Sequence, residues 1–135
     1  MISQAAELDV PCGTCGAPGA DWVVQLVQDG ELRWEQDGEC AECHAASCDR
    51  GAGAPAWIRD AILARHGAYR LTLTDQTVKG AAVLKAFRDA LGFSVEEARE
   101  AARALRGAGY EGTYVELTLV AGVLNLEAPV STRDR

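Results

Sequence analysis

Hydrophobic and polar positions along the chain change their rhythm near its middle. Trp22-Val23-Val24-Gln25-Leu26-Val27 and Glu31-Leu32-Arg33-Trp34-Glu35 are rich in β-formers, and Asp29-Gly30 between them suits the positive φ angles of a tight primed turn. This predicts a β-hairpin. After Pro55 the spacing becomes helical: Trp57, Ile58, Ala61 and Ile62 share a face, with Pro55 at its start and Gly67 as its stop. Residues 69–74 alternate with period two and predict a strand. Val83, Leu84, Phe87, Ala90 and Leu91 then return to helical spacing, closed by Gly92. Ser94-Val95-Glu96-Glu97 is a capping box that opens another helix, with Val95, Ala98, Ala102 and Leu105 as its expected buried stripe and Gly107 as its end. Residues 113–121 carry two signals. Val115, Leu117 and Leu119 alternate as in a strand, which local propensity favours, whereas Thr113-x-x-Glu116 is the capping box of a helix. Leu124-Asn125-Leu126 predicts a final short strand.

The composition shifts at Asp49-Arg50-Gly51-Ala52-Gly53-Ala54-Pro55, a Gly/Ala stretch closed by proline that reads as a linker. This divides the chain into residues 1–54 and 55–135. All five cysteines precede it. So does the acidity: of the formal charge of −7, the first part holds ten acidic residues and two arginines, a balance of −8, leaving +1 for the rest. A phosphate-tracking surface needs the opposite sign, so nucleic acid is not the expected partner. No apolar run approaches the ~18 residues of a membrane helix, and Met1-Ile2-Ser3-Gln4 lacks the basic start of a secretory signal. The expectation is a cytoplasmic protein.

Cys12-Gly13-Thr14-Cys15 and Cys40-Ala41-Glu42-Cys43 form C-x₂-C…C-x₂-C with 24 residues between the pairs. Two residues between cysteines let a tight knuckle point both sulfurs and nearby amides at one ion, and two knuckles complete a tetrahedron. The hairpin between them brings Cys15 and Cys40 back to one end. This stretch strongly resembles a zinc ribbon, which implies structural zinc; a four-thiolate site accepts iron as well. Disulfides are disfavoured in the cytosol, and a redox C-x-x-C needs only one pair. Cys40–His44 also matches the C-x-x-C-H pattern of haem attachment, but that leaves the first pair unexplained. His44 and Cys48 stand as candidates for an extra metal or redox role.

From Val83 to Arg99 the chain reads Val-Leu-Lys-Ala-Phe-Arg-Asp-Ala-Leu-Gly-Phe-Ser-Val-Glu-Glu-Ala-Arg. This resembles the C-terminal domain of the bacterial ribosomal stalk protein, through Lys85, Arg88, Gly92, Phe93, Val95 and Glu97-Ala98-Arg99. The resemblance implies a β-α-α-β-α-β layer, a helix at 113–121 and a last strand at 124–127. It also implies that Lys85, Arg88 and Arg99 face a partner, although Gly80 and Glu96 stand where the family carries basic residues. The expected fold class is thus α+β, a Cys₄ zinc ribbon followed by this layer. The whole arrangement, with eleven arginines and two lysines, is similar to small actinobacterial proteins of the immunity type, which neutralise protein toxins.

No catalytic constellation emerges. His44 and His66 are the two histidines, the serines and threonines form no nucleophile pattern, and Gly51-Ala52-Gly53 follows no strand of a phosphate loop. The expectation is therefore a non-enzymatic interaction module. Its partner is expected to be a basic protein, toxin- or nuclease-like, met by Trp22, Trp34, Glu31, Glu35, Asp37 and Glu39. The alternative is a translation- or transcription-associated ribbon factor docking a ribosomal surface.

Overall fold

The computed structural model describes residues 2–133. Seven strands and four helices follow one another among them: β1 (Ser3–Asp9), β2 (Ala20–Gln28), β3 (Glu31–Glu39), β4 (Ala46–Ala52), α1 (Ala56–His66), β5 (Tyr69–Leu71), α2 (Gly80–Leu91), α3 (Val95–Arg106), β6 (Tyr110–Gly112), α4 (Tyr114–Leu124) and β7 (Val130–Ser131). The fold is α+β.

The first four strands form one antiparallel sheet in the order β1-β2-β3-β4. Its central hairpin turns at Asp29 (φ 54°) and Gly30 (φ 77°), the two left-handed residues a primed turn demands. Strands β1 and β4 extend the hairpin on both sides, so the sheet is twice as wide as the β-rich runs alone suggest. The Gly/Ala stretch read as a linker begins inside β4: Gly51 lies opposite Trp34, and a side chain there would press on the indole ring at 2.9 Å. The chain leaves the sheet only at Gly53.

Helix α1 packs across β1 and β2, burying Ile58, Ala61 and Ile62 against Ala6 and Val23. Trp34 of β3 meets Trp57 of α1 edge-on, ring centroids 5.2 Å apart. His66, at the last turn of α1, bonds the Ala5 carbonyl of β1 through Nε2 at 2.7 Å. Apolar packing and an imidazole hydrogen bond thus tie this helix to the first sheet.

The remaining elements run β5-α2-α3-β6-α4-β7, around a three-stranded antiparallel sheet in the order β6-β5-β7. This is the β-α-α-β-α-β order expected. Its core gathers Leu71, Val83, Phe87, Ala98, Leu105, Leu117 and Val120, all at most 2% exposed. Three details differ from the sequence expectation. The strand at 69–74 stops at Leu71, because Leu73 turns to bond Leu105 with its amide and buries its side chain beside α3. The last strand is Val130–Ser131 rather than 124–127, since Leu124 completes α4 and Asn125 caps it in the left-handed region (φ 55°). Val95 is exposed (42%): as the first residue after the Ser94 cap it starts the helix before its buried face begins, and Ala101 joins the stripe instead.

Residues 113–121 form a helix, opened by a complete capping box at Thr113 and Glu116. Its apolar residues run all round because α4 lies against β5 and also touches β1, β2 and β3 of the first sheet. Covered by α2 as well as by both sheets over most of its surface, the helix keeps almost no polar face, and its sequence loses the helical period.

A buried polar cluster locks this wedge. Thr113 Oγ1 donates to Gln25 Oε1 at 2.5 Å, and Gln25 Nε2 donates to Glu116 Oε2 at 3.4 Å. Glu116 also accepts from Arg59 Nε of α1 at 3.0 Å and from the Thr113 amide at 3.0 Å. Gln25, Thr113 and Glu116 are at most 3% exposed, so β2 and α4 are joined away from water, and the half-buried Arg59 adds α1 from the surface side.

Candidate metal centre

The two knuckles connect β1 to β2 and β3 to β4, at the end of the sheet opposite the Asp29-Gly30 turn. They are built alike. In the first, the Gly16 amide donates to the Cys12 carbonyl at 2.8 Å and the Cys12 amide to the Ala17 carbonyl at 2.8 Å. In the second, the His44 amide donates to the Cys40 carbonyl at 2.9 Å and the Cys40 amide to the Ala45 carbonyl at 2.8 Å. Each turn closes on a left-handed residue after its second cysteine, Gly16 at φ 75° and His44 at φ 62°. His44 therefore occupies the position that glycine fills in the first knuckle.

The antiparallel register brings the four sulfurs together. Cys12 and Cys43 Sγ lie 3.7 Å apart, Cys15 and Cys40 Sγ 3.6 Å apart, and all four fall within 4.8 Å of one another. Thiolates about 2.3 Å from a tetrahedral ion stand about 3.8 Å from each other. Two of the sulfur pairs already have that spacing and the others lie within 4.8 Å, all far beyond the ~2.05 Å of a disulfide bond. The cysteines are thus positioned to bind one metal ion, in a donor set compatible with structural zinc.

Electrostatics favours the same conclusion. Amides of Cys15 and Thr14 hold the Cys12 thiol down to about 6, the Thr14 amide lying 3.4 Å from its sulfur. For Cys15 the Ala17 amide acts downward, but the thiols of Cys40, Cys43 and Cys12, together with burial, push it up to about 12. One sulfur ionises readily and its anion opposes the next. A cation among the four removes that conflict.

His44 and Cys48 stand outside this group of sulfurs. Cys48 lies exposed on β4 opposite Asp37. Compared with known proteins, the chain matches no family model, no curated protein and no solved structure.

The candidate partner residues do not share one surface. Along β3, alternation sends Glu31, Arg33, Glu35, Asp37 and Glu39 to one face and Trp34 to the other, where α1 packs. Trp22 shares the outer face with the acidic residues and is 52% exposed, whereas Trp34 is packed against Trp57. Glu31 pairs with Arg33 at 3.5 Å. Lys85 and Arg88 line a hollow between α2 and α3 with Leu84, Phe93 and Val95. Lys85 pairs with Asp89 at 2.6 Å, Arg88 donates to the Phe93 carbonyl at 3.4 Å, and Arg99 lies on α3 apart from that hollow.

Sequence reasoning missed Glu7 and Asp9 as members of the acidic face, because β1 gave no β-rich run. Their signal was the alternation itself: Ala6 and Leu8 point in while Glu7 and Asp9 point out. No helix among the described residues is long and apolar enough to cross a membrane.

Proposed function

We propose that the protein is a zinc-held, non-enzymatic interaction module that captures a basic protein, in the manner of an immunity-type inhibitor neutralising a toxin. One observation supports this reading above the others. The outer face of the first sheet carries Glu7, Asp9, Glu31, Glu35, Asp37 and Glu39 against only Arg33 and Arg50. The other face is packed on α1, so these carboxylates are not needed to hold the helix to the sheet. Four thiolates around a divalent ion add a further −2, bringing residues 1–54 from −8 to about −10. Such a field accelerates encounter with a basic partner and weakens with salt.

In this reading Cys12, Cys15, Cys40 and Cys43 hold the zinc. A sphere closed by four thiolates leaves no position for water, so the ion contributes folding energy rather than chemistry. The knuckles then fix the ends of all four strands and hold the acidic face rigid.

The test is capture and identification of a partner by the metal-loaded protein, followed by association kinetics of the purified pair across salt concentrations. The expected result is an association rate at least tenfold lower at high salt, with loss of the partner's toxicity on co-expression. Affinity indifferent to salt refutes the proposal. A second reading draws on the hollow beside Lys85 and Arg88: a translation-associated factor docking through the stalk-like helices. Co-sedimentation with ribosomes, abolished by Lys85→Ala and Arg88→Ala, would favour it.

A further inference from the structure

The acidic face has an internal order that the net charge does not convey. Strand register sets Glu7, Trp22, Asp37 and Cys48 directly opposite one another across β1, β2, β3 and β4. Side chains opposite each other in an antiparallel sheet have Cβ atoms about 5 Å apart. The Trp22 indole therefore stands between two carboxylates, one on each neighbouring strand. Glu7, Trp22 and Asp37 are all exposed. Among the described residues neither carboxylate takes part in a hydrogen bond or ion pair. Trp22 is 52% exposed, so half of a large aromatic surface bracketed by two carboxylates is left open to water.

The chemistry that satisfies all three groups at once is a guanidinium. Its flat, weakly hydrated face stacks on an indole, and its edge N–H groups reach carboxylates in the plane. A lysine ammonium satisfies the carboxylates but covers less of the ring, and a phosphate is repelled. We propose that Glu7, Trp22 and Asp37 form a seat for an arginine side chain presented by the basic protein partner. The inference rests on the reading of the acidic face as a docking surface for a basic protein and specifies its anchor. The surrounding Asp9, Glu35 and Glu39 steer the partner, and Trp22 holds it.

Octa-arginine and octa-lysine serve as probes of the metal-loaded protein, with affinity followed by calorimetry and the Trp22 indole N–H followed by NMR. At low salt octa-arginine is expected to bind more tightly than octa-lysine and to shift the Trp22 resonance. Trp22→Ala is expected to weaken octa-arginine at least tenfold, as is the pair Glu7→Gln and Asp37→Asn. Glu100→Gln, exposed on α3, changes one charge away from the first sheet and is expected to alter affinity by less than threefold. Thermal melting of each variant checks that the sheet is intact, and the charge pair, which leaves every side-chain shape unchanged, covers the case in which Trp22→Ala unfolds. Salt-sensitive binding that is equal in the wild type and both variants overturns the seat and leaves the acidic docking face standing. Failure of both peptides to bind at low salt, or binding of RNA at this face, overturns the docking face and the seat together.

Discussion

The chain contains two capping boxes of the same chemistry in different surroundings, which makes one an internal control for the other. At the start of α3 the Ser94 hydroxyl accepts from the Glu97 amide at 3.1 Å, at an exposed site. At the start of α4 the Thr113 hydroxyl accepts from the Glu116 amide at the same distance, but is wholly buried and also donates to Gln25 Oε1 at 2.5 Å. Ser94→Ala removes a cap that water replaces in part, at a cost of about 1 kcal/mol. Thr113→Val keeps the shape of the side chain and removes the same cap. It also strands the buried Gln25 carbonyl oxygen, which adds about 1–3 kcal/mol. The totals are about 1 and about 2–4 kcal/mol, or roughly 3 °C and 6–12 °C in melting temperature for a chain of this size. Thermal melts by circular dichroism and urea titrations of both variants measure the difference. Equal destabilisation would show that the Gln25–Thr113–Glu116 network does not hold the first sheet to α4.

Other outcomes follow from the same contacts. His44→Gly should leave metal content unchanged and stability within about 1 kcal/mol, because relief of left-handed strain is offset by a freer unfolded chain; loss of the ion on elemental analysis would make His44 a ligand. Cys48→Ser should likewise leave metal content and melting as they are, since Cys48 lies outside the sulfur group. Gly51→Ala drives a methyl group to 2.9 Å from the Trp34 indole, which Trp57 backs, and should cost about 1–3 kcal/mol with a change in tryptophan emission. An unchanged melt and spectrum would contradict that packing.

What the sequence disclosed, and what it hid, follows from where the physical signal lies. The cysteine spacing and the Asp29-Gly30 turn are local and demanding, and both can be read directly. Helices α2 and α3 carry clear caps and one-sided apolar stripes, because each has one wet face. Helix α4 is covered on most sides and even its exposed Val123 is apolar, so its period vanished, and only its capping box and the likeness to the stalk domain argued for a helix. Strand β4 reads Ala-Ser-Cys-Asp-Arg-Gly-Ala, a poor β sequence that pairs because β3 supplies a template and Trp34 needs a glycine beneath it. The Arg59–Glu116–Gln25 network joins residues 57 and 91 positions apart in the chain, and no local pattern announces such a partnership. The acidic face was visible as charge, while its order around Trp22 needed the register of four strands.

Metal analysis of the purified full chain is the decisive measurement, because the proposed rigidity of the acidic face rests on an ion held by the four cysteines. One zinc per chain is expected, absent from Cys12→Ser and Cys40→Ser, with a lower melting temperature and loss of strand signal after removal by a strong chelator. A protein free of bound metal, with melting and circular dichroism identical in chelator and in added zinc, would contradict it.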